Sequence, residues 1–148
     1  MLIRSAAGSD IAAISRLVAQ YWEFEGIGGF EPSRVEALLE GLLASPERGA
    51  CWIAETSDSI NGYLLAVFVF SLEHGGLAAE IDEVFVAPSM RSAGVGSLLL
   101  AAAERDMAAH GVVHVQLQLG VGNQRARGFY ERRGFSRRAG FELLDKPL

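Results

Sequence analysis

Apolar residues recur along the chain at two spacings, and the switches between them mark its elements. Leu2 to Arg4 is a short edge-strand candidate. Ile11, Ile14, Leu17, Val18 and Tyr21 are three and four apart, one face of a helix, with Ser9 or Asp10 placed to cap it. Gly26, Gly28 and Gly29 break the pattern. Pro32 then opens a second helix with Val35, Leu38, Leu39 and Leu42 as its expected buried stripe. After Pro46 and Gly49 the pattern becomes strand-like: Ala50 to Glu55, the wholly apolar run Tyr63 to Phe70, and Leu77 to Val86. The expected turns are Asp58 to Gly62, centred on Asn61-Gly62, and Gly75-Gly76. A third helix at the glycines runs to about His110, ended by Gly111, with Val95, Leu98, Leu99, Ala102 and Met107 as its buried face. Val112 to Leu119 reads as a strand, Gln124 to Arg133 as a short helix, and Phe135 to Leu144 as a last strand.

The order is βαα-βββ-α-β-α-β. An antiparallel meander followed by a βαβ unit predicts a mixed, mostly antiparallel sheet flanked by helices, in the α/β or α+β class. No internal repeat or linker interrupts the 148 residues, so one domain over 1–148 is expected.

Composition narrows the partners. Half of the residues are hydrophobic and 21 % are charged, which is globular. A single cysteine, Cys51, excludes an internal disulfide and reads as a small core residue. The longest apolar run falls short of the roughly 20 residues that span a bilayer. The start Met-Leu-Ile-Arg is no signal peptide, so no membrane partner and a cytoplasmic location are expected. The net charge of −5 is unevenly spread. Residues 1–90 carry 4 Lys/Arg against 13 Asp/Glu, and residues 91–148 carry 9 against 5. The second part suits an anionic ligand and the first a cationic one. One lysine and no basic stripe argue against nucleic acid. His74, His110 and His114 share no metal-ligand spacing, so no metal is expected.

The candidate chemistry centres on residues 80–100. An apolar strand carrying Glu80, Asp82 and Glu83 stops at Pro88, and Arg91-Ser-Ala-Gly94-Val-Gly96 leads into a helix. A helix N-terminus behind glycines is suited to phosphate, with Arg91 adding a donor fork. A Walker loop would need Gly-Lys-Ser/Thr, and the first lysine is Lys146. A dinucleotide fingerprint would need a third glycine near Leu99 and an acid after the next strand, where Val115-Gln116-Leu117-Gln118 stands. Arg-x-x-Gly-x-Gly remains.

A second motif follows at residues 123–135: Asn123-x-x-Ala126-x-x-Phe129-Tyr130-x-x-x-Gly134-Phe135. With Val84-Phe85-Val86-x-Pro88 and Arg-x-x-Gly-x-Gly before it, the chain resembles the GNAT superfamily of acetyl-CoA-dependent N-acetyltransferases. The resemblance implies acetyl-CoA as co-substrate. It implies that the amides of Ser92, Ala93, Gly94, Val95, Gly96 and Ser97 wrap the pyrophosphate, with Arg91 nearby. The backbone of Val84, Phe85 and Val86 would pair with the pantetheine arm. Asn123 and Phe129 would contact the cofactor, and Tyr130 would protonate the departing thiolate. It also implies that dimers form in this family through the last strands. Ser92-Ala93 stand where the family often has Gly or Arg, and small residues still allow close approach.

Acetylating an amine needs a base, since most amines are protonated at neutral pH. Successive strand residues face opposite ways, so only one of Asp82 and Glu83 reaches the cleft unless a bulge intervenes. Glu83 is the first candidate, Asp82 the second and Glu80 the third, and each could equally be a surface acid. The segment Tyr21-Trp-Glu-Phe-Glu-Gly-Ile-Gly-Gly-Phe-Glu interleaves aromatics with Glu23, Glu25 and Glu31, which suits a small cationic amine. The alternatives are a protein or peptide acetyltransferase and a non-catalytic acetyl-CoA-binding regulatory domain.

Overall fold

The computed structural model describes residues 1–148. They fall into two compact units, Met1–Leu117 and Gln118–Leu148. The first holds β1 (Leu2–Ser5), α1 (Ile11–Glu25), α2 (Pro32–Leu43), β2 (Gly49–Glu55), β3 (Ile60–Ser71), β4 (Gly76–Val86), α3 (Val95–Ala109) and β5 (His114–Leu117). The second holds α4 (Gln124–Glu131). The five strands form one sheet in the order β1-β2-β3-β4-β5. The first four pair antiparallel, and β5 pairs parallel with β4 through the α3 crossover.

Alternation along the strands gives the sheet two apolar faces. Cys51, Ile53, Tyr63 and Phe85 share one face with Ile11, Ile14, Leu17 and Val18 of α1 and with Val35 and Leu39 of α2. Their neighbours in sequence point to the other face, toward α3, whose Leu99, Leu100, Ala103 and Met107 are almost fully buried. Trp52 on that face donates from Nε1 to Asp106 of α3 at 2.8 Å. Cys51 is a free, buried thiol, and burial pushes its pKa up to about 12.

Several details depart from the expected pattern. The turn between β2 and β3 lies at residues 56–59, closed by Thr56 N–H to Ser59 O at 2.9 Å. Asn61-Gly62 stands inside β3 instead. Gly62 is there because the chain is crowded: a Cβ would lie 3.0 Å from Phe85 O and 3.3 Å from Leu99 Cδ1. Leu38 and Leu98, expected in the core, are 63 % and 48 % exposed, because the sheet takes a narrower stripe of each helix than the spacing suggests. Asp10 does not cap α1. Its carboxylate accepts from Ala7 N and from both terminal nitrogens of Arg4, which also bridges Glu55.

The expected last strand, Phe135 to Leu144, does not form, and the sheet ends at β5. The segment lacks strand alternation: Ser136-Arg137-Arg138 interrupts it, and Gly140 takes φ +87° in a turn. Phe141 and Leu144 are 71 % and 84 % exposed.

Gly49 offers a direct test of the sheet packing. A Cβ there would sit 2.3 Å from Ala66 O and 3.0 Å from Leu42 Cδ1. Backbone on β3 cannot yield without breaking the ladder. Gly49→Ala is therefore expected to cost about 2–3 kcal/mol and to lower the melting temperature by about 8 °C. Calorimetry showing an unchanged melting temperature would refute this packing.

Candidate active site

The site is built on the second half of β4. Its register against β3 slips by one residue, pairing Leu65 with Glu83 and Ala66 with Ile81. Asp82 is the extra residue of a β-bulge. In an unbroken strand Ile81 and Glu83 would share a face. The bulge separates them: Ile81 is buried toward α3, and Glu83 lies on the α1 face with Leu65, Tyr63 and Phe85.

There Glu83 is half-buried, and both oxygens are engaged. Trp22 Nε1 of α1 donates to Oε1 at 2.7 Å, and the Tyr63 hydroxyl donates to Oε2 at 2.7 Å. Burial raises the Glu83 carboxyl above the ordinary glutamate range, opposed by these two hydrogen bonds, while Asp82 adds a further upward push. Burial, joined by the charge of Glu83 and its hydrogen bond, drives the Tyr63 phenol far above its usual range, so it stays protonated. Asp82 is exposed, yet its carboxyl is also raised, because neighbouring chain strips part of its hydration and Glu80 adds like charge. Glu80 accepts from Gln116 Nε2 of β5 at 2.9 Å.

Trp22 was legible in the sequence only as one aromatic among several, and Tyr63 only as the first residue of an apolar run. One signal for Tyr63 did exist. A phenol buried in a central strand needs a partner for its hydroxyl, and the acids stand on the next strand.

Beyond Ile81, β4 loses its neighbour. Pairing with β5 covers Ala78 to Ile81 only, so residues 82–86 have a strand partner in β3 alone. Next comes the glycine turn. Ser92 is the one non-glycine residue with positive φ, at 71°, and Gly94 follows at 77°. Holding a serine in the left-handed region costs about 1 kcal/mol. A Cβ at Gly94 would meet nothing within 4 Å, and no side chain caps the first turn of α3. An open, uncapped helix start fits a pyrophosphate, and an unpaired stretch of strand fits an amide-bearing arm. The residues present therefore suit coenzyme A. Val95 is 2 % exposed and has only its backbone to offer.

Arg91 is occupied. Its Nε donates to Val86 O at 3.1 Å, and its guanidinium lies 5.0 Å from the Phe24 ring centroid and 5.4 Å from that of Phe85. It ties the end of α1 to the end of β4.

The segment joining α1 to α2 departs in one respect from expectation. Trp22 packs edge-on against Phe30 at 5.9 Å, Phe24 is 66 % exposed, and Glu23 and Glu25 are exposed. Glu31, however, is the cap of α2. It accepts from Ser33 N at 3.3 Å, Ser33 Oγ at 2.7 Å and Arg34 N at 2.8 Å, which hold its carboxyl below the usual range.

In the second unit, Asn123 caps α4, its Oδ1 accepting from Ala126 N at 3.1 Å. Tyr130 is half-buried between Phe129 and Phe135, with ring centroids 5.0 and 5.5 Å away. Burial raises its phenol, opposed by the charge of Arg133. Arg133 lies 3.8 Å over the Phe129 ring and donates to Phe129 O at 2.7 Å.

The fourth strand of the mixed sheet thus carries a bulge at Asp82 and runs on into an open glycine turn. Residues 12–135 match the sequence profile of the Acetyltransferase (GNAT) family. The chain is 33 % identical over 141 residues to the uncharacterized N-acetyltransferase YhfO of Bacillus subtilis strain 168, covering 95 % of this chain and 93 % of that one. Among solved structures, integron cassette protein HFX_CASS3 from the Cole Harbour Salt Marsh metagenome superposes with a TM-score of 0.85 at 28 % identity, over 99 % of this chain and 90 % of that one. A predicted acetyltransferase from Clostridium acetobutylicum with acetyl-CoA shares the fold, with a TM-score of 0.82 at 18 % identity over 97 % and 95 % of the two chains. The chain belongs to the GNAT acetyltransferase family and is an acyltransferase. That family uses acetyl-CoA. No helix is long and apolar enough to cross a membrane.

Proposed function

We propose that the chain, as one N-acetyltransferase domain, moves the acetyl group of acetyl-CoA to a primary amine of a small cationic molecule, by direct attack in a ternary complex. The observation that carries the reading is the Glu83 carboxylate, turned by the bulge onto the α1 face and raised by burial toward the range of a general base. Bound acetyl-CoA supplies the activated acetyl thioester. Amides at 92–97 and the open edge of Val84 to Val86 hold it. The N–H of Val86, on the side of β4 away from β3, polarises the thioester carbonyl. Glu83 takes the amine proton on a carboxylate oxygen, directly or through water. Tyr130 gives its hydroxyl proton to the departing sulfur. Asn123 and Phe129 of the second unit are assigned to contact with the cofactor.

The acceptor class is drawn from the α1–α2 segment. Glu23 and Glu25, exposed at the end of α1, offer negative charge to an ammonium group, while the Phe24 ring between them already carries the Arg91 guanidinium. With Glu31 committed to α2, two carboxylates remain for that task rather than three. A thiol-release assay with spermidine, lysine, kanamycin and a lysine-containing peptide tests the reading. Turnover is expected with at least one of the small amines. Acetylation of the peptide alone would assign the chain to proteins instead, and acetyl-CoA binding without any turnover would make it a sensor.

A further inference from the structure

Both oxygens of Glu83 are held by rigid donors, although a general base needs only one free lone pair. We propose that Trp22 and Tyr63 are positioning residues that lock the Glu83 side chain in the one orientation its proton transfer uses. The inference rests on the assignment of Glu83 as the base, and it concerns two residues that act through the Glu83 carboxylate.

The geometry is specific. Each donor reaches a different oxygen at 2.7 Å, and the donors come from different elements, α1 and β3. Neither can change its role. An indole N–H only donates, and the Tyr63 phenol is kept protonated by burial and by the charge it faces.

Both are also fixed from behind. Tyr63 has no exposed surface and packs 6.5 Å from the Phe85 ring. Trp22 sits at the end of α1, where Ile27 N donates to Trp22 O at 2.8 Å and Gly26 N to Glu23 O at 3.2 Å. Those two bonds, with Gly26 at φ 70°, are a Schellman cap. The Trp22 backbone is thus pinned, and Phe30 braces its ring.

A carboxylate has about four lone-pair sites. Two are taken, which leaves two for an amine or a bridging water. A free glutamate would lose about 1.5–2 kcal/mol of rotamer entropy each time it was aligned. Here that alignment is made when the chain folds. The same two bonds favour the anion against the burial that disfavours it, so they also set the pH at which the base becomes active.

The test compares Trp22→Phe, Tyr63→Phe and Glu83→Gln in the full chain. Carboxyl carbons of glutamate are followed by NMR against pH, and Glu83→Gln identifies the Glu83 signal by its disappearance. In parallel, kcat/KM is profiled against pH with the best amine of the panel, and thermal melts confirm folding. Each phenylalanine variant is expected to move the Glu83 midpoint, and the acid limb of kcat/KM with it, upward by about one pH unit. A merely structural role would lower the melting temperature and leave the midpoint in place. Unmoved midpoints in both variants would overturn the lock. If Glu83→Gln kept the acid limb, the base assignment would fall while the NMR still reported on the lock. Should Tyr63→Phe not fold, Trp22→Phe decides, since its indole is only half-buried.

Discussion

Glu83→Gln is expected to lower kcat/KM roughly 100-fold or more near neutral pH. Glutamine keeps the size of the side chain and can still accept from Trp22 or Tyr63, so the loss isolates the proton-accepting charge. The pH profile carries a second signature. Burial raises the Glu83 carboxyl, so the native acid limb lies above the range of an ordinary glutamate. Activity is present above that midpoint and disappears as pH falls through it, because the protonated acid cannot take the amine proton. The glutamine variant should show a low, flat profile over the same window. Steady-state kinetics followed across pH would check both points. A variant that retained native turnover would return the assignment to Asp82. Asp82 is exposed and projects from the bulge, a position from which it could reach an amine through water.

Tyr130→Phe should lower kcat roughly tenfold or more while acetyl-CoA affinity changes little. The substitution removes one hydroxyl and keeps the ring that packs between Phe129 and Phe135. Because burial holds the native phenol above its usual range, it is protonated throughout the working pH and always has a proton to give. Calorimetry with coenzyme A separates the two expected effects. Unchanged kcat would remove Tyr130 from the proton path, and weakened binding would make it a cofactor contact.

Much of this was readable in advance, and the misses have separate physical causes. Helical spacing located α1, α2 and α3, because a stripe at three and four cannot be satisfied by a strand. It did not rank members of the stripe, so Leu38 and Leu98 were expected inside and are exposed. Asn61-Gly62 has the composition of a hairpin turn, but Gly62 answers to crowding against Phe85 O and Leu99. Composition cannot tell a glycine that bends the chain from one that admits a neighbour. The acids of β4 were visible as candidates. Choosing among them depended on a bulge at Asp82, and register between strands leaves no mark in a single strand's residues. Trp22 and Tyr63 stand 61 and 20 positions from Glu83, and only the folded chain brings them together. Arg91 reads as a phosphate ligand by motif, and the folded chain adds contacts the motif does not announce: its Nε donates to Val86 O and its guanidinium lies against Phe24 and Phe85.

The stretch between α1 and α2 is fastened at both ends. Gly26 and Ile27 are bonded back into α1, and Glu31 clamps the first turn of α2 through Ser33 and Arg34. Only residues 28–30 lie between the two fastenings. A span that short, closed by a cap at each end, has few backbone courses open to it. On the proposed reading, an acceptor that approaches Glu83 from this side meets a backbone whose course is fixed at both ends. Changes in which amine is accepted would then come from replacing side chains such as Ile27 or Phe30, with the backbone course left as it is.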